Sequence, residues 1–221
     1  MSRRYPAIAF TDDVRKVQHE RGSEAFYSRK RVAGAAAGPD PLTDDEAEFL
    51  AERDGCYLAT VGETGWPYVQ FRGGPRGFVR VLDEHTLGWA DFRGNLQYIS
   101  TGNLGGDDRM AIIAVDYAQR RRLKVFGRAR IVTAEQDPEL IAALADPAYD
   151  AVVERAVVVT VEAFDWNCPQ HITPRFTVEE LEPMLADVRR RLSDLEAENA
   201  ALKAALTEQQ RSEPPNELAN S

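Results

Sequence analysis

Gly65–Asn103 reads GWPYVQFRGGPRGFVRVLDEHTLGWADFRGNLQYISTGN. It holds three short runs with strand-like alternation, two tight turns, and a glycine-ended polar segment that reads as a helix start. Pro67–Gly73 is a strand with Tyr68, Gln70 and Arg72 on one face and Val69 and Phe71 on the other. Gly77–Leu82 and Thr86–Ala90 form a hairpin around Asp83-Glu84-His85, which makes His85 a turn residue. Asn95–Asn103 reads as a short helix. Working outward, Cys56–Val61 is a strand joined to Pro67–Gly73 through the turn Gly62-Glu63-Thr64-Gly65. Strands follow near Arg109–Tyr117 and Arg121–Thr133, the latter alternating Leu123, Val125, Gly127, Ala129 and Ile131. A helix at Pro138–Leu144 leads to a last strand, Ala156–Phe164. The fold expected is mainly β with flanking helices: a six-stranded antiparallel split β-barrel that closes most of its edges.

The flanks read as helices. Residues 11–31 open on a Thr/Asp cap and carry only a thin apolar stripe of Val14, Val17, Ala25 and Phe26, broken near Gly22; His19 falls on the charged face. AGAAAGPDP at 33–41 is a linker, and Thr43-Asp44-Asp45-Glu46 is a capping box opening a helix to about Arg53. The clearest period lies in Val178–Leu206. Leu181, Val188, Leu195 and Leu202 recur every seven residues, and Leu185, Leu192, Asn199 and Leu206 form a second heptad series. The steps alternate four and three, so the first series is d and the second a, with Asn199 a polar a position. Arg191 at g then faces Glu196 at e of a parallel partner, and Glu198 faces Lys203. A parallel homodimeric coil and a helix folded back on its own barrel both accommodate this pattern. RSEPPNELANS closes the chain as a disordered tail.

At 221 residues and 43% apolar, the chain suits one domain with appendages and can bury a real core. No apolar run approaches the roughly 20 residues that span a bilayer, and MSRRYPAIAFTDD is too poor in apolar residues for a signal segment. No membrane contact and a cytoplasmic location are therefore expected. Two cysteines, Cys56 and Cys168, form no disulfide framework. A net charge of −9 argues against a nucleic-acid partner. The charge is uneven, with eight basic and five acidic residues in 1–40 against five basic and ten acidic in 177–221.

Four stretches carry possible chemistry. Gly94-Asn95, following Asp91-Phe92-Arg93, is an anion site if it opens a helix, because first-turn N–H groups are unpaired and the helix dipole favours negative charge. Asn95, Gln97 and Ser100 add neutral donors, and Arg93 or Arg72 supplies charge for a phosphate; a plain N-cap explains the same residues. Gly73-Gly74-Pro75-Arg76-Gly77 lacks phosphate-loop spacing and reads as a connection between strands. Arg120-Arg121-Arg122 reads as a turn, from which Arg122 and Lys124 share one face and reach toward a cofactor. Asp165–His171 packs Trp166, Asn167, Cys168, Pro169 and His171 into one loop. It reads as a Cys168/His171 nucleophilic pair, half a zinc site with no second half, or a loop presenting polar groups to a ligand or partner subunit. No metal site is expected. Trp66 and Trp89 read as packing groups, Trp89 also as a pocket wall.

In this order the residues resemble the pyridoxamine 5′-phosphate oxidase-like, FMN-binding split-barrel family over about residues 43–176. The matching segments are Pro67–Gly73, Gly77–Leu82, Thr86–Asn95 and Arg122–Ala129, and Asn167-Cys168-Pro169-Gln170-His171-Ile172 is similar to the Asn-Cys-Pro loop of one uncharacterised branch. The resemblance implies an FMN-binding barrel at 43–176, which the patterns described above flank with a helical arm and linker at 1–42, a coiled-coil helix at 177–210 and a disordered tail at 211–221. It implies a homodimer with FMN at the subunit interface. By the same resemblance Val69, Gln70, Phe71 and Arg72 line the flavin ring, Trp89 and Ala90 flank it, and Asn95, Leu96 and Gln97 sit at the phosphate. Arg122 or Lys124 reaches the ring, while Asn167 and His171 approach from the partner. Asn95-Leu96-Gln97 stands where true pyridoxamine phosphate oxidases have a Ser-Arg-Lys-like trio, and the coil replaces their basic substrate-binding end. The function implied is an FMN-dependent oxidoreductase acting on a small redox substrate other than pyridoxamine phosphate. A non-enzymatic flavin carrier or sensor and a deazaflavin (F420)-dependent reductase are the alternatives on the same fold.

Overall fold

The computed structural model describes residues 4–28, 38–166 and 169–212. Those residues form two compact units that divide between Thr173 and Pro174. The first unit is built on one sheet: β1 (Gly55–Val61), β2 (Pro67–Gly73), β3 (Arg80–Asp83), β4 (Thr86–Phe92), β5 (Arg109–Asp116), β6 (Arg121–Val132) and β7 (Val153–Trp166). Its order is β2-β1-β5-β6-β7-β4-β3, and every pairing is antiparallel. The sheet has seven strands, so the expected count of six falls one short of the seven strand-like runs in the sequence. All seven alternating runs pair, the shortest being β3, which forms one edge with a register shift between Val81 and Asp83.

Alternation along these strands decides what is enclosed. Cys56 and Leu58, Leu87 and Trp89, Met110 and Ile112, Leu123 and Val125, and Val159 and Val161 all point into one core, to which Phe78 and Val79 add from the β2–β3 connection. One core shared by strands from both halves of a seven-stranded sheet requires the sheet to curl around it. The end strands β2 and β3 do not pair with each other among the described residues, so the barrel is split. The opposite faces of β4 and β7 form a smaller cluster of Ala90, Ala156 and Val158. The helix Pro138–Leu144 covers that cluster through Leu144. The β6–β7 register shifts at a bulge between Phe126 and Gly127. Gly127 is there because a Cβ would sit 2.5 Å from Val159 Cγ1 and 2.7 Å from the Thr160 carbonyl oxygen.

The helices are α1 (Tyr5–Ala9), α2 (Asp12–Glu20), α3 (Asp44–Ala51), α4 (Ile99–Gly106), α5 (Pro138–Leu144) and α6 (Val178–Ser212). α2 ends at Gly22, whose φ of +72° stops the helix, and helical residues resume at 24–28. The capping box of α3 is present: Glu46 accepts from the Thr43 backbone N–H at 2.9 Å and from the Thr43 hydroxyl at 2.6 Å. Glu46 is buried and its other oxygen accepts from Trp166 Nε1 at 2.6 Å, which fixes the end of β7 against α3. The helix read at Asn95–Asn103 starts four residues later than expected. Leu96 and Tyr98 have φ of 63° and 51°, which no α-helix accommodates, and Asn95 Oδ1 accepts from the Gln97 N–H within the preceding loop.

Candidate functional site

β2 and β4 are separated in the sheet by four strands, yet the curl brings their side chains together. Arg72 Nη1 of β2 lies 3.0 Å from Asp91 Oδ1 of β4. Between them and the start of α4 is a cavity of about 260 Å³, lined among others by Gln70, Arg72, Asp91, Asn95, Gln97 and Ser100. β2 supplies Tyr68, Gln70 and Arg72 because its period of two sends all three to the same side. The loop 94–98 supplies Asn95, Leu96 and Gln97, and α4 presents its first turn.

The polar groups form one continuous network. Asn103 Nδ2 donates to Thr60 Oγ1 at 3.0 Å, and Thr60 Oγ1 donates to Ser100 Oγ at 3.4 Å. Gln70 Nε2 also donates to Ser100 Oγ, and Arg72 Nη2 donates to Gln70 Oε1 at 3.2 Å. Beyond Asp91 the network becomes charged. Arg155 Nε lies 3.6 Å from Asp91 Oδ2, and its Nη2 donates to Glu154 Oε2 at 2.6 Å. Glu154 Oε1 accepts from Arg93 Nε at 3.0 Å and from the Tyr98 hydroxyl at 3.2 Å, while the Arg155 guanidinium stacks 4.8 Å above the Tyr98 ring. That contact, with Glu154, holds Tyr98 in its left-handed conformation.

Two features decide what the cavity can hold. Three arginines face two carboxylates, so the cluster is positive overall. Its unused groups are donors: Arg72 Nε is buried without a partner, and Ser100, already accepting two hydrogen bonds, keeps its own O–H for a further acceptor. The first-turn N–H groups of α4 add to them. Burial raises the Asp91 pKa above the ordinary carboxylate value; Arg72 and Arg155 oppose that shift and Glu154 adds to it. The Arg93 hydrogen bond holds Glu154 below its ordinary value, assisted by Arg155 and Tyr98. Together, unpaired donors and net positive charge make a cradle for an anionic oxygen cluster such as a phosphate.

Of the residues read from sequence, Gln70, Phe71, Arg72, Asn95, Leu96, Gln97 and Ser100 meet at this cavity, and Arg93 braces its wall through Glu154. Others lie elsewhere. Val69 is exposed on the outer face of β2, Trp89 is enclosed in the barrel core, and Ala90 packs in the second cluster. Arg122 and Lys124 line a different cavity, of about 410 Å³, with Tyr5, Phe10, Tyr27 and Trp166. There Lys124 Nζ pairs with Asp165 at 3.2 Å and sits 4.4 Å from the Tyr5 ring centroid. His171 is exposed, with φ of 62°. Asn167 and Cys168 lie outside the described residues. Asp91, Tyr98, Thr101 and Glu154 line the site without having been read as site residues. Asp91 had a visible signal, a carboxylate between Ala90 and Phe92 in an otherwise apolar strand. Glu154 had none, because only the β4–β7 pairing brings it to the loop. Among the described residues no three His, Cys, Asp or Glu side chains converge as metal ligands. No described helix is long and apolar enough to cross a membrane.

Residues 42–166 match the family described as pyridoxamine 5′-phosphate oxidase. The chain belongs to the pyridoxamine 5′-phosphate oxidase family. The match begins just before α3 and ends with β7, so the whole cavity lies within the family region. No curated protein matches the chain. Solved structures similar to this family member include HupZ of Group A Streptococcus, at 19% identity and a TM-score of 0.47, covering 61% of this chain and 99% of that one. An FMN-binding protein from Syntrophomonas wolfei gives 10% identity and a TM-score of 0.46, covering 69% and 96%. An F420 reductase gives 21% and 0.37, covering 54% and 94%.

Proposed function

We propose that the protein is an FMN-binding oxidoreductase, a cytoplasmic homodimer whose flavin phosphate occupies the cavity between β2, β4 and α4. The observation that carries this reading is the donor set: Arg72 Nε, the Ser100 hydroxyl and the first turn of α4 are unspent, and the cluster around them is positive. Arg72 and Ser100 would hold the phosphate, Gln70 would orient both, and Asn95 and Gln97 would border the polyol chain. FMN when bound supplies the redox chemistry, accepting or giving a hydride. The protein's part is to bind, to orient and to exclude water. The homodimer is supported by Tyr57, Val69 and Phe71, which are 41, 62 and 59% exposed on the outer face of β1 and β2 and form an apolar patch beside the cavity.

The test is the absorption spectrum of the purified protein, with the supernatant after denaturation assayed for released cofactor. Stoichiometric FMN supports the reading. A colourless protein that takes up F420 but not FMN moves the cofactor to the deazaflavin. One that binds FMN, yet shows no reduction by a nicotinamide and no turnover of an acceptor, is a flavin carrier or sensor. A protein that takes up neither overturns the assignment of the cavity.

A further inference from the structure

α6 is 35 residues long, and its apolar positions do not scatter. Leu185, Val188, Leu192, Leu195, Leu202 and Leu206 are each 40 to 63% exposed, and with Asn199 they alternate at steps of three and four along one stripe. A single helix with such a stripe in water gains nothing from it, since helical stability comes mainly from packing an apolar face. Pro183, the one helix breaker among the described residues of α6, occupies the f position on the side opposite the stripe.

We infer that α6 is one strand of a parallel, in-register, two-stranded coiled coil with a second copy of this chain. Charge points to a second copy as the partner, and Asn199 to the direction. Arg189 pairs with Glu182 at 2.5 Å and Arg190 with Asp187 at 2.5 Å within the helix. Arg191, Glu196, Glu198 and Lys203 have no ion-pair partner among the described residues. In a parallel coil, g of one helix meets e of the next heptad on the other. Arg191 then meets the second copy's counterpart of Glu196, and Glu198 that of Lys203, with both contacts repeated by the twofold symmetry. Asn199 fixes the register. In parallel it meets its own copy at the a layer, amide to amide, whereas a fully overlapped antiparallel arrangement sets it against Val188 and leaves the amide unsatisfied. The inference stands on unit-two residues alone and does not depend on the cofactor.

The test uses the full chain in a Cys168→Ser background, in which the buried Cys56 is the only native thiol. Asn199→Cys at a should give a disulfide-linked dimer under mild oxidation, while Ser193→Cys at the outward b position should stay monomeric on a non-reducing gel. Adding Leu192→Asp and Leu195→Asp should abolish the Asn199→Cys cross-link and lower the helical circular dichroism. Absence of the Asn199→Cys cross-link, or equal cross-linking at position 193, overturns the coil. If the molecular mass in solution stays at twice the chain while that cross-link is absent, the coil is refuted and the barrel dimer of the flavin reading still stands.

Discussion

The Arg72–Asp91 pair bears both on stability and on the proposed phosphate site, and a pair of variants separates the two. Both side chains are largely buried, 23 and 8% exposed, and lie 3.0 Å apart. Arg72→Met keeps most of the apolar stem and strands Asp91. Removing one partner of a buried pair costs about 3–5 kcal/mol. The low end applies here, since Arg155 remains 3.6 Å from Asp91. For a chain of this length, about 3 kcal/mol lowers Tm by about 6–12 °C. The double variant Arg72→Met/Asp91→Asn removes both charges and leaves the local net charge unchanged, so most of that Tm loss should return. FMN affinity should not return with it, because the charge-assisted donor is still missing. At about 1.5–3 kcal/mol that donor corresponds to about a 10- to 150-fold rise in Kd. Scanning calorimetry and quenching of flavin fluorescence read the two quantities on the same samples. A double variant that binds FMN within about threefold of the wild type refutes Arg72 as the phosphate ligand. A single variant that melts with the wild type refutes the buried pair.

Further outcomes follow from the same structure. Burial pushes the Cys56 thiol up to about 12, so in a Cys168→Ala protein iodoacetamide at pH 8 should label nothing until denaturant is added; rapid native labelling would show β1 to be open. Asp91 has a raised pKa, so its ionisation costs stability above that pKa and the cost fades as pH drops toward the unfolded value of about 3.9. Wild-type stability relative to Asp91→Asn should therefore improve as pH falls through that window in urea melts, and a slope of the opposite sign would show that the arginines, not burial, dominate. Gly127→Ala pushes a methyl into Val159 and the Thr160 carbonyl, an overpacking of about 1–3 kcal/mol that should lower Tm by about 2–12 °C; an unchanged melt would mean that the β6–β7 bulge yields freely.

The parts of the site legible in the sequence are those set by local periodicity. Gln70 and Arg72 share a strand face by the period of two, and the capping box at Thr43 announces α3 from four residues. What the sequence hid depends on long-range pairing. Glu154 and Arg155 are more than fifty residues from Tyr98 and Arg93, and only the β4–β7 ladder, with its register shift at Asp91/Phe92, brings them together. The helix start failed for a related reason. Polar residues at 95–97 favour both a cap and a turn, and tertiary contacts chose the turn: Tyr98 is held left-handed by Glu154 and by the stacked Arg155. That shift has a chemical consequence. With the helix opening at Ile99, its first turn holds Ser100 and leaves Asn95 in the preceding loop, and all three line the same cavity as Arg72. The placement of the donors proposed to hold the phosphate thus depends on a contact that no local sequence pattern encodes.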